Sequence, residues 1–278
     1  MAGSVLRSAR SVRRAALVTH GRPETIGAAV ARVEALAAAS GVELVHPEDE
    51  SRLAADGALG VDLAVALGGD GTMLRALHRF LGTSVPVIGV NFGRIGFLTS
   101  MPGEALEAGL TRAFAGDYKV IELATVALTL GGETYAAIND VVATSAAPGR
   151  MIALGAAVGG ESLGDQACDG MICCTPSGST AYNLSNGGPV IMWGLDTMAI
   201  TYVAPHSLHA RPLVVPPGLG LAVTNATPDV AVSVIVDGRW AGELAPGDSF
   251  TVDVGAGKGL LALLPEVTFF TRLRDVFL

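Results

Sequence analysis

Val61-Asp62-Leu63-Ala64-Val65-Ala66-Leu67-Gly68-Gly69-Asp70-Gly71-Thr72 decides the fold of the first half of the chain. The first seven residues are apolar apart from Asp62, the texture of a strand buried on both faces. From Thr72 to Leu81 the apolar residues Met73, Leu74, Leu77 and Leu81 recur at helical spacing. Val85-Pro86-Val87-Ile88-Gly89-Val90 is again strand-like. Upstream, Ala15 to Thr19 predicts a strand. Pro23 then opens a helix with Ile26, Val30, Val33 and Leu36 on one face, and Gly41 ends it before a short strand at Val42 to Val45. Strand–helix–strand repetition of this kind predicts an open parallel sheet covered by helices, a Rossmann-like α/β domain over residues 1–120.

After residue 120 the texture changes. Val120 to Leu130, Gly131-Gly132 and Glu133 to Thr144 predict a hairpin. Short strand-like runs follow at Met151 to Val158, Met198 to Ala204, Gly220 to Thr224, Val230 to Val236, Ser249 to Val254 and Leu260 to Leu264. Helical periodicity is confined to a stretch near Thr180 to Leu184. We therefore expect an all-β C-terminal domain over residues 121–264, with residues 265–278 returning to the first domain.

Three stretches carry the chemistry. Gly68-Gly69-Asp70-Gly71 lies between a strand and a helix, where glycines let the backbone approach a phosphate and the helix start offers N–H groups. A carboxylate there repels phosphate unless it takes a proton or binds a metal; the plainer alternative makes Asp70 a helix cap. Asn91-Phe92-Gly93-Arg94-Ile95-Gly96-Phe97-Leu98 follows the next strand, in the crevice position of open sheets. The richest stretch is Asp169-Gly170-Met171-Ile172-Cys173-Cys174-Thr175-Pro176-Ser177-Gly178-Ser179-Thr180-Ala181-Tyr182-Asn183-Leu184-Ser185-Asn186-Gly187-Gly188-Pro189. Its hydroxyls, amides and one tyrosine ring suit a ribose and a flat base.

Composition narrows the partners. The 278 residues carry a net charge of −8 with no long basic run, which argues against nucleic acid or an anionic membrane surface. No apolar run is long enough to span a bilayer. Arg7, Arg10, Arg13, Arg14 and Arg22, with no acid before Glu24, give the start a faint likeness to a transit peptide. A strand follows at once, so we expect a short frayed arm. Cys168, Cys173 and Cys174 form neither a disulfide framework nor a zinc spacing; we expect buried, reduced thiols and a cytoplasmic protein.

Gly-Gly-Asp-Gly, then Asn139-Asp140, then Thr175-Pro176-Ser177-Gly178-Ser179-Thr180-Ala181-Tyr182, then Pro205-His206-Ser207-Leu208 before Arg211-Pro212, resembles the NAD kinase family in order and spacing, from about residue 15 to the C-terminus. Gly-Gly-Asp-Gly alone is shared with diacylglycerol, sphingosine and 6-phosphofructo-kinases; the Thr-Pro-x-Gly-Ser-Thr-Ala-Tyr block is specific. The resemblance implies a two-domain architecture and transfer of a phosphoryl group from ATP, with magnesium, to the 2′-hydroxyl of the adenosine ribose of NAD. It makes Asp70 the base and Gly68, Gly69 and Gly71 the phosphate turn, with Arg75 serving phosphates. It assigns NAD contacts to Asn139, Asp140, Arg150, Asp169, Ser177, Thr180, Ala181, Tyr182 and Ser185. His206 also matches, with a structural role as the plainer reading. The protein ligands of the metal are not assigned, and polyphosphate is an alternative donor. Family members are homodimers or homotetramers. Trp193, Tyr202 and Asn186 depart from the pattern. A lipid kinase of the same superfamily or a non-catalytic dinucleotide sensor are the competing functions.

Overall fold

The computed structural model describes residues 5–7, 10–19, 23–46, 60–93 and 96–277. The chain divides into two compact units: residues 1–122 with 259–278, and residues 123–258.

In the first unit, strands β1 (Val5–Arg7), β2 (Arg14–Thr19), β3 (Glu43–Val45), β4 (Leu63–Gly68), β5 (Val87–Asn91) and β6 (Met101–Pro102) alternate with helices α1 (Pro23–Ser40), α2 (Asp70–Arg79) and α3 (Leu106–Phe114). β3, β2, β4 and β5 lie side by side and parallel. All six residues of β4 are buried, as the apolar run predicts. Helix α1 buries Ile26, Ala29, Val33 and Ala37 along one stripe. It stops where Gly41 turns to φ +69°. Val42 N–H then donates to Ala37 O at 2.8 Å, and the left-handed conformation that glycine tolerates closes the helix end. Helix α3 was not foreseen; it buries Leu106, Leu110, Ala113 and Phe114. The arginine-rich start is not simply a frayed arm, because β1 pairs Val5, Leu6 and Arg7 with Ile121, Val120 and Lys119. Arg22 lies outside the described residues.

The second unit is a sandwich of antiparallel strands: β7 (Lys119–Leu130), β8 (Glu133–Ala137), β9 (Asp140–Ser145), β10 (Ile152–Val158), β11 (Glu161–Cys168), β12 (Gly170–Cys174), β13 (Met198–Val203), β14 (Leu213–Val215), β15 (Leu221–Asn225), β16 (Val232–Val236), β17 (Arg239–Leu244) and β18 (Ser249–Leu263), where the start of β7 up to Glu122 and the end of β18 from Gly259 belong to the first unit. One sheet runs β14-β13-β12-β9-β16-β17; the other runs β11-β10-β15-β18, with β7 beside β18 and β8 beside β7. Val126, Leu128, Ile152, Leu154 and Val223 from one sheet meet Val141, Met171, Cys173, Ile200 and Val234 from the other in a single apolar core. The hairpin at Gly131-Gly132 has φ +59° and +85°, the left-handed pair that a two-residue turn needs.

Two expected elements differ. The run Glu133 to Thr144 is not one strand: β8 ends at Ala137 and β9 starts at Asp140 in the other sheet. Conversely, Ser249 to Val254 and Leu260 to Leu264 are parts of one strand, β18. Leu261 and Ala262 of β18 pair parallel with Val87 and Ile88. A C-terminal helix, Phe269–Phe277, follows within the first unit.

Leu154 is fully buried in the sandwich core. Leu154→Ala should therefore lower stability by about 2–5 kcal/mol in denaturant unfolding, whereas a loss below about 0.5 kcal/mol would remove that residue from the core.

Candidate active site

Candidate residues gather in two clusters, one in each unit. In the first, β4 runs into Gly68, whose added Cβ would lie 2.1 Å from Thr72 Oγ1, so any side chain collides there. Gly68 O accepts from Phe92 N–H at 3.1 Å, which ties the turn after β4 to the turn after β5. Gly69 occupies the helix cap in an extended conformation with no side-chain bond. Asp70 is thus the first residue inside α2 and caps nothing, contrary to the plainer expectation. Its two carboxylate oxygens instead accept the backbone N–H groups of Phe97 at 2.9 Å and Leu98 at 3.0 Å.

The C-terminal helix backs this arrangement. Phe97 packs edge-on against Phe269, with centroids 5.5 Å apart, and touches Phe277 at 5.8 Å. Arg272 donates to Thr99 O. Burial raises the Asp70 carboxyl above its ordinary value; the Phe97 and Leu98 amides and the Arg272 charge oppose that rise. Asp70 is therefore a desolvated carboxylate with two oxygens fixed in direction, each retaining acceptor capacity. Gly71 and Arg75 are exposed on α2, Arg75 one turn beyond Gly71. Asn91 Oδ1 accepts from Gly93 N–H. Arg94 and Ile95 lie outside the described residues.

In the second unit, the step from β8 to β9 passes through Ile138 and Asn139. Thr175 locks onto it from β12's end: its Oγ1 donates to Ile138 O at 2.5 Å and its N–H to Asn139 O at 2.8 Å. Ser177 Oγ donates to Asn139 Oδ1 at 3.1 Å, joining two of the expected contact residues. Gly178 is demanded by the same approach, since a Cβ there would sit 2.1 Å from Asn139 O. The hydroxyl-rich stretch then forms a helical turn, Tyr182–Ser185. Two fully buried side chains shape it. Ser179 Oγ donates to Pro176 O and accepts from Ile191 N–H; Asn183 Nδ2 donates to Ser179 O and Pro189 O, and its Oδ1 accepts from Thr201. Thr180 Oγ1 donates to Ser177 O, Ala181 is half-buried, and Tyr182 and Ser185 stand exposed.

Asp140 is 7% exposed, and burial together with the neighbouring Asp237 pushes its carboxyl up to about 7. Arg150 and Asp169 are exposed. Arg150 pairs with Asp229 at 2.8 Å, and the Asp169 carbonyl accepts from Thr144 Oγ1. His206, expected as a structural histidine, is also exposed, and its backbone N–H donates to Ala167 O. The three thiols are buried, and burial pushes Cys168 to about 11 and Cys174 to about 12. Asp237 was missed. Its signal was Asp237-Gly238 after an apolar strand, a hairpin turn in which Asp237 adopts φ +46° and Gly238 φ +76°.

A glycine turn before a helix, carrying a fixed carboxylate, and a sandwich carrying a hydroxyl-rich turn define a two-unit phosphotransferase. The family profile of the ATP-NAD kinase N-terminal domain matches residues 18–118, and that of the C-terminal domain matches residues 138–263. An NAD kinase of Heliobacterium modesticaldum is 40% identical over 239 residues, covering 84% of this chain and 83% of the relative. One from Symbiobacterium thermophilum is 36% identical over 275 residues, covering 94% and 97%. The crystal structure of an NAD kinase from Archaeoglobus fulgidus in complex with ATP aligns with TM-score 0.75 at 26% identity, over 95% of this chain and 97% of that one. A yeast NADH kinase complexed with NADH shares the fold, with TM-score 0.82 at 20% identity over 99% and 93%. The chain belongs to the NAD kinase family.

Two outcomes follow from the second cluster. A carboxyl moved from 3.8 to about 7 keeps its proton in the fold after the unfolded chain has lost it, so its contribution to stability falls as pH rises across that window and is flat above it. Asp140→Asn should then stabilise the protein at pH 8 by as much as ~4 kcal/mol and leave it unchanged near pH 3. Thermal melts at both values check this; equal melting shifts at the two would contradict it. Gly178→Ala should cost about 1–3 kcal/mol, because backbone must move to admit the methyl; a neutral result in the same melts would show that the approach to Asn139 is slack.

Proposed function

We propose that this chain transfers the γ-phosphoryl group of ATP to the 2′-hydroxyl of the adenosine ribose of NAD, giving NADP and ADP. The observation that carries the reading is the desolvated carboxylate inside Gly68-Gly69-Asp70-Gly71 of the first unit; the Asn139–Asp140–Ser177 cluster of the second unit supports it separately. A ribose hydroxyl is a weak nucleophile whose proton leaves as the bond to phosphorus forms. Asp70 takes that proton: its oxygens are directed by Phe97 and Leu98, and its raised pKa strengthens it as a base at neutral pH.

Gly68, Gly69 and Gly71 let phosphate approach the helix start, and Arg75 offers a cation one turn along. Asn139, Asp140, Ser177, Thr180 and Ser185 supply polar contacts to NAD, Ala181 and Tyr182 an apolar and stacking face, and Arg150 and Asp169 further contacts. Among the described residues no group of three or more His, Cys, Asp or Glu side chains is placed to hold a metal. Magnesium is proposed to arrive on the ATP phosphates, where it would neutralise their charge. We extend the proposal to a cytoplasmic homo-oligomer, a dimer or tetramer; no helix among the described residues is long and apolar enough to cross a membrane. Polyphosphate is the alternative donor that the same turn would accept.

The test is a coupled assay: NAD, ATP and magnesium with the purified chain, NADP read by an NADP-specific dehydrogenase. NADP formation is expected; none, with the protein folded, would overturn the reading, and phosphorylation of a diacylglycerol or sphingosine instead would favour a lipid kinase. In the same assay Tyr182→Ala should raise the KM for NAD roughly tenfold, the worth of a ring stacked on a base. An unchanged KM would remove Tyr182 from the site.

A further inference from the structure

Asp237 lies outside every stretch that the family resemblance singles out, and its surroundings are unlike those of an ordinary turn residue. Three successive backbone amides converge on its carboxylate. Ile138 N–H donates to Oδ2 at 2.7 Å, Asn139 N–H to Oδ1 at 2.8 Å and Asp140 N–H to Oδ1 at 2.9 Å. The Asp237 N–H returns a bond to Asp140 O at 3.0 Å. These amides belong to the step where the chain leaves the strand Glu133–Ala137 and enters the strand Asp140–Ser145 in the opposite sheet. A backbone changing sheets there finds its common acceptor in the carboxylate. The left-handed backbone of Asp237, uncommon outside glycine, aims that carboxylate across the turn.

We infer that Asp237 is a positioning residue for the nucleotide acceptor: by gathering the amides of Ile138, Asn139 and Asp140 it fixes the direction in which the Asn139 and Asp140 side chains are presented. The inference rests on the functional reading given above. The same three residues organise the rest of the cluster, since the carbonyls of Ile138 and Asn139 hold Thr175, and Asn139 Oδ1 holds Ser177. Asp237 therefore acts on the cluster through the backbone of Ile138, Asn139 and Asp140. It also acts on Asp140 through charge. Among the described residues, the titratable groups that interact with Asp140 are Asp237 and the thiols of Cys173 and Cys174 on the adjacent strand; both thiols are pushed upward and stay neutral at neutral pH. Burial and the Asp237 charge thus both disfavour ionised Asp140, and a partner that donates hydrogen bonds, such as a ribose diol, relieves the strain.

Asp237→Asn separates this role from a merely structural one. A carboxamide keeps one acceptor oxygen and turns an NH2 toward an amide that needs an acceptor. NAD affinity measured by calorimetry should fall roughly tenfold, as expected when a buried hydrogen-bond arrangement is broken, while the KM for ATP is unchanged. In carbon-13 carboxyl titrations without ligand, Asp140 should titrate at about 7 in the wild type and at lower pH in the variant. A residue that only stiffens the turn would lower the melting temperature and leave both the NAD affinity and the Asp140 titration in place, and that result overturns the inference. Should the variant fail to fold, the wild type decides: absence of scalar couplings across the hydrogen bonds from the Ile138, Asn139 and Asp140 amides to the Asp237 carboxylate overturns the inference. A wild type that binds no NAD would instead overturn the functional reading, whereas NAD binding unaffected by Asp237→Asn overturns this inference alone.

Discussion

The bonds from the Phe97 and Leu98 amides to the Asp70 carboxylate are the constraint on which the first cluster depends. A carboxylate this buried is unfavourable unless its lone pairs are used. Two backbone donors use them, and in doing so bring the segment after β5 onto the start of α2. The Gly68–Phe92 bond does the same one step earlier. Phe269 and Arg272 of the C-terminal helix close the other side of that segment, against Phe97 and Thr99. The local geometry of one side chain therefore follows from a strand end, a loop and a helix distant in sequence.

The second unit repeats the device with another aspartate. There a carboxylate again takes backbone amides where the chain steps between strands, and a second, desolvated acid, Asp140, stands beside it. In both units an acidic side chain is held by backbone amides, which leaves the glycine turn and the helix start of the first unit clear of its charge. Keeping Asp140 buried against Asp237 opposes stability once its carboxyl ionises.

Much of the fold was legible because its signals are local. Pro23, the stripe of Ile26, Val30 and Val33 and the closing Gly41 define α1 without reference to anything else, and Gly131-Gly132 defines its hairpin. Helix α3 does carry a helical spacing in Leu106, Leu110, Ala113 and Phe114, a local signal that was passed over because the helix is only nine residues long. Strand β11 is an edge strand whose residues Glu161 to Asp165 are exposed, so no alternation marks it. The break between β8 and β9 had no local signal, because the side chain that stabilises it lies 97 residues from Asp140. The candidate residues were proposed as a set from motif order, while Asp237-Gly238 reads in sequence only as a turn. Asp70 itself was visible in sequence, but its bonding to Phe97 and Leu98 instead of to its own helix was a matter of tertiary placement.

The most direct measurement of the central claim is the single-turnover rate of phosphoryl transfer to NAD as a function of pH, in the wild type and in Asp70→Asn. The account predicts a wild-type rate that falls at acid pH with an apparent pKa above the ordinary aspartate value of 3.8, since burial raises this carboxyl. It predicts that Asp70→Asn loses about 10²–10⁴ in rate and loses that acid limb, because the proton acceptor is gone. If Asp70 only anchored the Phe97–Leu98 segment, the slower variant would keep the wild-type pH dependence, and that result would contradict the account.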